Sequence, residues 1–127
     1  MKTLLWMHLI VLLLIFSCNE LSSKDDVIEF IPGTYIRFSQ HEFGTEYDTL
    51  VITVQNKIAN EYKILRRWKY ERIIDGTPMK AEYKRLTTSG IYNTQNKVLQ
   101  ETETGSLYSF DIKQKLLLNG STKYQKI

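Results

Sequence analysis

The chain predicts an all-β domain, an antiparallel meander of about eight strands that closes into a small barrel. Three observations carry that expectation. Residues 49–55 alternate, with Leu50, Ile52 and Val54 on one face and Thr49, Val51 and Thr53 on the other. That period of two marks a half-buried strand. Turn signals at Pro32-Gly33, Asp75-Gly76, Gly105 and Asn119-Gly120 divide the rest into runs of strand length. The chain of 127 residues is long enough for one core and little else. Closing the meander is the simplest way to remove its exposed edges.

Taken in order, residues 1–18 come first. Lys2 supplies a positive start, and Leu4 to Phe16 form a 13-residue run that is apolar except for His8. That length suits the hydrophobic region of a signal peptide, about 7–15 residues. It falls short of the ~20 residues that span a bilayer. The Ser17-Cys18 junction that follows resembles the lipobox of bacterial lipoproteins. The resemblance implies lipid transfer to the Cys18 thiol, cleavage before Cys18, and acylation of the new amine. Residues 1–17 are then a signal peptide, 18–30 a lipidated cysteine with its tether, and 31–127 the barrel. The implied location is the bacterial cell envelope, with the outer membrane as anchor and either its periplasmic face or the cell surface as address.

Within the tether, residues 19–26 are polar and aperiodic. Residues 27–31 are mostly apolar and read as a lead-in packed against one end of the domain. Strand patterns then succeed one another. Residues 34–38 alternate, Ile36 and Phe38 against Tyr35 and Arg37. Residues 61–74 form the longest run, too long for a straight strand in a small domain at ~3.4 Å per residue, so a bulge or sharp bend is expected there. A helical stripe through Ile58, Tyr62, Leu65 and Ile73 is the rival, but it strands Trp68 and Tyr70 and has no clear cap. Residues 83–92 give a strand broken at Gly90, residues 98–104 a polar strand, and residues 107–112, 116–118 and 122–127 the last three. Leu50, Ile52, Val54, Phe110, Leu116 and Leu118 are the expected core.

Composition excludes several functions. Seventeen basic and 14 acidic side chains give +3, and +2 once Lys2 is removed with the signal, a weak attraction for polyanions. Together with export, that argues against nucleic acid. Cys18 is the only cysteine, so no internal disulfide forms. His41 is the only histidine beyond the signal, too few for the usual zinc set, and is expected in solvent in a loop or at a strand end rather than as a catalytic base. No nucleophile–base pair, metal set or cofactor motif is visible, so the chain reads as non-catalytic.

Gly33-Thr34-Tyr35 at the start of the meander, with strands continuing to Tyr124, is similar to small lipocalin-like bacterial lipoproteins. That resemblance implies a binding function for a small hydrophobic ligand. The row Arg66, Trp68, Tyr70 and Arg72 shares one strand face and mixes cations with aromatic rings. Arginine grips carboxylate or phosphate in two-pronged fashion, so these four are the candidate site for a small anionic or amphipathic ligand. The alternative is that the arginines sit at a rim, stack on the rings, or pair with a carboxylate such as Glu82. Ser89-Gly90-Ile91-Tyr92 is similar to a segment of periplasmic lysozyme inhibitors, which implies a second class of function, binding of an envelope protein.

Overall fold

The period-two runs become strands of a single antiparallel sheet that rolls up on itself. The computed structural model describes residues 25–127, so Cys18, the apolar run and most of the tether lie outside the described residues. A short helix, α1 (Asp26–Phe30), precedes nine strands. These are β1 (Gly33–His41), β2 (Gly44–Asn56), β3 (Glu61–Ile74), β4 (Thr77–Pro78), β5 (Glu82–Asn93), β6 (Val98–Glu101), β7 (Leu107–Asp111), β8 (Leu116–Asn119) and β9 (Thr122–Lys126). Each strand except β4 pairs with its sequence neighbours in the meander, and β1 also pairs with β9, which closes eight strands into a barrel. β4 is a two-residue addition beside the far end of β3.

Turn chemistry fixes the hairpins. Asp75 and Gly76 both have positive φ, the two-residue turn that suits the twist of the flanking strands. The β8–β9 hairpin has Asn119 paired with Thr122. Its loop is therefore Gly120-Ser121 rather than Asn119-Gly120, with Gly120 alone at positive φ.

An eight-stranded barrel has an interior just wide enough for side chains to fill. Tyr35, Leu50, Ile52, Tyr62, Ile64, Tyr92, Leu99 and Leu117 fill it here. Helix α1 plugs one end, with Asp25 capping it through Val27 N–H and with Ile31 wholly buried. Tyr35 Oη donates to the carbonyls of Phe30 and Ile31, and Tyr92 Oη to the Asp25 carboxylate. Residues 27–31 thus pack against one end of the domain as the lead-in expected there, and Asp25 and Asp26 join them through the cap and first turn of α1.

The strands are unequal. β1, β2, β3 and β5 have 9, 13, 14 and 12 residues, while β6 to β9 have only four or five. The long four extend past the short four as a curved blade beyond the open end. This is where the length of β3 goes. β3 keeps its register with β2 unbroken from Tyr62 to Arg72, and the one irregularity lies in β2 between Val54 and Asn56. Nor does Gly90 break β5, which pairs continuously with β3 through that position. Gly90 faces the interior, where a Cβ would stand 3.1 Å from Ile64 Cδ1 and Leu99 Cδ1.

Two core expectations are corrected. Val54 is 50% exposed, near the end of β2 where the register with β3 shifts. In β8 the buried residue is Leu117, and Leu116 and Leu118 are half-buried on the outer face. Phe110 is partly buried, its ring 6.1 Å from Phe30 and 6.2 Å from Tyr35. Leu50→Ala, Ile52→Ala and Leu117→Ala should each cost about 2–5 kcal/mol in urea unfolding. Val54→Ala should cost less than about 1 kcal/mol, and equal losses from Leu117 and Val54 would mean the strand faces are misassigned.

Candidate functional site

Alternation along each long strand carries the interior face out onto the blade. On β3 that face runs Tyr62, Ile64, Arg66, Trp68, Tyr70, Arg72, so the candidate row continues the inward face, of which Tyr62 and Ile64 lie in the apolar core. On β2 the same face runs Ile52, Leu50, Asp48, Glu46, Gly44. The register places Leu50 beside Arg66, Asp48 beside Trp68 and Glu46 beside Tyr70.

Where the core ends, the interior turns polar. Asp48 is 1% exposed. It accepts from Arg66 Nε at 3.0 Å and Nη2 at 2.6 Å, and from Tyr124 Oη at 2.9 Å. A buried carboxylate without such partners would be prohibitively costly, and three charge-assisted bonds offset that cost. Opposite, buried Glu101 accepts from Tyr108 Oη at 3.0 Å. Arg66, Glu101, Tyr108 and Tyr124 line a cavity of about 220 Å³ at the open end together with the core residues Leu50 and Ile64 and polar groups such as Arg37 and Thr88. Every buried side-chain polar atom among the described residues has a hydrogen-bond partner. The polar layer is therefore satisfied from within.

Above it lies a wider recess of about 390 Å³, lined by Glu46, Arg66, Trp68, Lys84 and Leu86. Trp68 and Tyr70 stack with centroids 5.4 Å apart and planes 8° from parallel. Lys84 Nζ sits 5.2 Å from the Trp68 ring centre. Tyr70 Oη donates to the Phe43 carbonyl at 3.1 Å. Its ring occupies the space left by Gly44, where a Cβ would fall 2.5 Å from ring carbon Cε2. Tyr70 is thereby fixed, and it holds Trp68 in place.

The structure brings Arg66 and Trp68 into one recess, and Tyr70 supports them from behind. Arg72 is not with them. It lies six residue steps along the strand from Arg66, about 20 Å, exposed near the blade tip opposite Gly44. The arginine partner is Asp48 rather than Glu82, which is exposed beside Tyr70. His41 ends β1 in solvent and accepts from Phe43 N–H at 3.3 Å. Tyr92 of the Ser89-to-Tyr92 segment points into the barrel, leaving Ser89 and Ile91 outward. Sequence reasoning missed Asp48, Tyr124, Glu101, Tyr108, Lys84 and Leu86. Asp48 alone carried a signal, as a charge on the Leu50–Ile52 face.

No cluster of three or more His, Cys, Asp or Glu is placed to hold a metal ion among the described residues. No family model matches the chain, and no curated protein or solved structure matches it.

The interior tyrosines give a pH dependence. Burial raises Tyr35, Tyr62, Tyr92, Tyr108 and Tyr124, and Tyr124 is pushed up to about 12 by burial and then by the charge of Asp48. The fold holds these phenols neutral, whereas in the unfolded chain they ionise near pH 10. Their contribution is complete below about pH 10 and is lost as pH rises through the folded values. Tyrosinate absorbance should therefore show part of the eight tyrosines ionising only together with loss of the β-sheet circular dichroism signal above about pH 11. Full ionisation with the sheet signal intact would contradict the interior placement.

Proposed function

We propose that this protein is a non-catalytic, lipid-anchored lipoprotein of the bacterial envelope that binds a small amphipathic molecule at the open end of its barrel. The observation that carries the reading is the recess beside Trp68, where a fixed aromatic plane and apolar Leu86 stand next to the polar layer. A ligand with an apolar face fits that plane, and its polar edge meets Glu46, Lys84 and the exposed half of Arg66, whose side chain is 47% exposed. Of the two ligand classes suggested by the sequence, the amphipathic one is favoured over the anionic one. Arg66 has two of its nitrogens committed to Asp48 and Arg37 lies 3.5 Å from Glu46, so among the described residues Lys84 is the one cation lining the recess without a carboxylate partner. Such pockets recognise ligands mainly through apolar area, with a few polar groups setting orientation. Closure by the polar layer leaves a shallow site rather than a deep lipid cavity, so a compact ligand is favoured over a long acyl chain.

The anchor rests on the Leu4-to-Phe16 run and the Ser17-Cys18 junction. Growth with a radioactive fatty acid should label the protein, and Cys18→Ser should abolish the label. Labelling that survives the substitution would remove the anchor from the proposal.

Ligand binding has a built-in reporter. The chain has two tryptophans, Trp6 and Trp68, so a form beginning at Asn19 keeps the whole described domain and has Trp68 as its only tryptophan. Native mass spectrometry of protein from its own host should find a co-purified small molecule, and adding it to stripped protein should change Trp68 emission. Arg66→Ala should weaken binding at least tenfold, consistent with a charge-assisted contact of about 1.5–3 kcal/mol. Arg72→Ala should change it less than about twofold. Equal losses from both arginines would place the ligand along the blade instead of at the mouth.

A further inference from the structure

The blade has a free edge. β5 pairs with β3 along residues 82–91, but its other side meets β6 only at residues 90–93. The direction of each backbone group follows from two bonds. Tyr92 N–H donates to the Asn60 carbonyl on the β3 side, while the Ser89 carbonyl accepts from Thr102 N–H on the β6 side. Antiparallel alternation therefore turns the backbone groups of Lys84, Leu86 and Thr88 toward β3. Those of Tyr83, Arg85 and Thr87 face outward, where no strand of the described residues pairs with them. Such a row is a template for an added strand.

The side chains say which strand fits. Arg67 and Arg85 are direct register partners on the outer face, both exposed. Neither forms an ion pair among the described residues. Like charges directly opposite one another destabilise a sheet, so the free protein carries a local repulsion that a carboxylate on an adjoining strand would relieve. Arg67, Arg85 and Tyr83 also line an outer-face hollow of about 420 Å³, with Tyr83 itself 73% exposed. On the inner face the edge presents Lys84 and Leu86. A second copy of this chain is the wrong occupant, because two β5 edges paired about their midpoint set Arg85 against Arg85.

From this edge and its unpaired arginines, we infer that β5 accepts an added antiparallel strand from an acidic, extended segment of another protein, with a carboxylate seated opposite Arg85. Main-chain bonds to Tyr83, Arg85 and Thr87 supply affinity, and the arginine doublet supplies the preference for acidic sequence. The inference does not rest on ligand binding at the mouth, which uses the inner face.

The test uses a blocked ten-residue peptide of alternating valine and glutamate, titrated at low salt into the form beginning at Asn19. It should bind, and hydrogen exchange should slow at the amides of Tyr83, Arg85 and Thr87. In the free protein those three amides should exchange fast while Lys84, Leu86 and Thr88 are protected. The same peptide N-methylated at its glutamates, or carrying lysine in their place, should bind at least tenfold more weakly. Arg85→Glu should weaken the acidic peptide at least tenfold. Thr87→Pro should do likewise with its circular dichroism unchanged, because the lost N–H is one that the barrel does not use. Equal binding of the N-methylated peptide would show charge attraction without strand addition and would overturn the inference. So would no binding at millimolar peptide, or slow exchange at the three edge amides in the free protein.

Discussion

Closure between unequal strands is the constraint on which the rest of this structure depends. A barrel needs its first and last strands to pair, and here that closing pairing is brief, Tyr35 with Lys126 and Ile36 with Gln125. The half from β6 to β9 offers only four or five residues per strand, so the barrel can be no taller than those strands. β2, β3 and β5, more than twice that length, have to run on past the closed section. The blade, the open mouth at its base and the unpaired side of β5 follow from this one mismatch in length. Shortening β3 and β5 would remove all three together without touching the core.

The second determinant is where the interior stops being apolar. Along β2 the inward positions change from Ile52 and Leu50 to Asp48 and Glu46, and along β3 from Ile64 to Arg66. Paired across the sheet, these changes form a polar layer at one height, joined from the far side by Tyr124 and Tyr108. The layer sets the floor of the mouth. Because Asp48 is fully buried, replacing Arg66 or Tyr124 would leave part of its bonding capacity unmet, which costs about 1–3 kcal/mol. The floor is consequently rigid, and in the proposed binding role recognition falls to the exposed half of Arg66 and the groups above it, Trp68, Lys84 and Leu86.

How far this was legible in the sequence depends on the range of the interaction. Local alternation is readable, which is why the residue 49–55 strand and the shared face of Arg66, Trp68, Tyr70 and Arg72 were legible, whereas the side of the sheet that face takes was not. Leu116-Leu117-Leu118 shows the limit, since three apolar residues in a row carry no parity. Only the pairing of Leu117 with Tyr124 settles which one is inside. Asp48 was readable as an oddity on an apolar face, but Arg66 is 18 residues from it and Tyr124 is 76. No local pattern encodes such a contact. The length of β3 was plain, whereas its destination was not, because that is decided by the brevity of strands that begin 24 residues beyond its end.

The two ends of the barrel are not equivalent, and this bears on the proposed anchor. The described chain enters at the end plugged by α1, where Asp25 receives the Tyr92 hydroxyl and Lys126 Nζ bonds the Phe30 carbonyl. An anchor at Cys18 is seven residues from Asp25, a reach of at most about 25 Å. Under the proposed anchoring, so short a reach would set the plugged end nearer the membrane than the mouth and blade, which lie at the opposite end of the barrel. A mouth held away from the bilayer is poorly placed to extract lipid from the membrane that carries it. It is well placed to meet a dissolved ligand, and the free edge of β5, on the same outward blade, is equally open to a partner in the surrounding compartment.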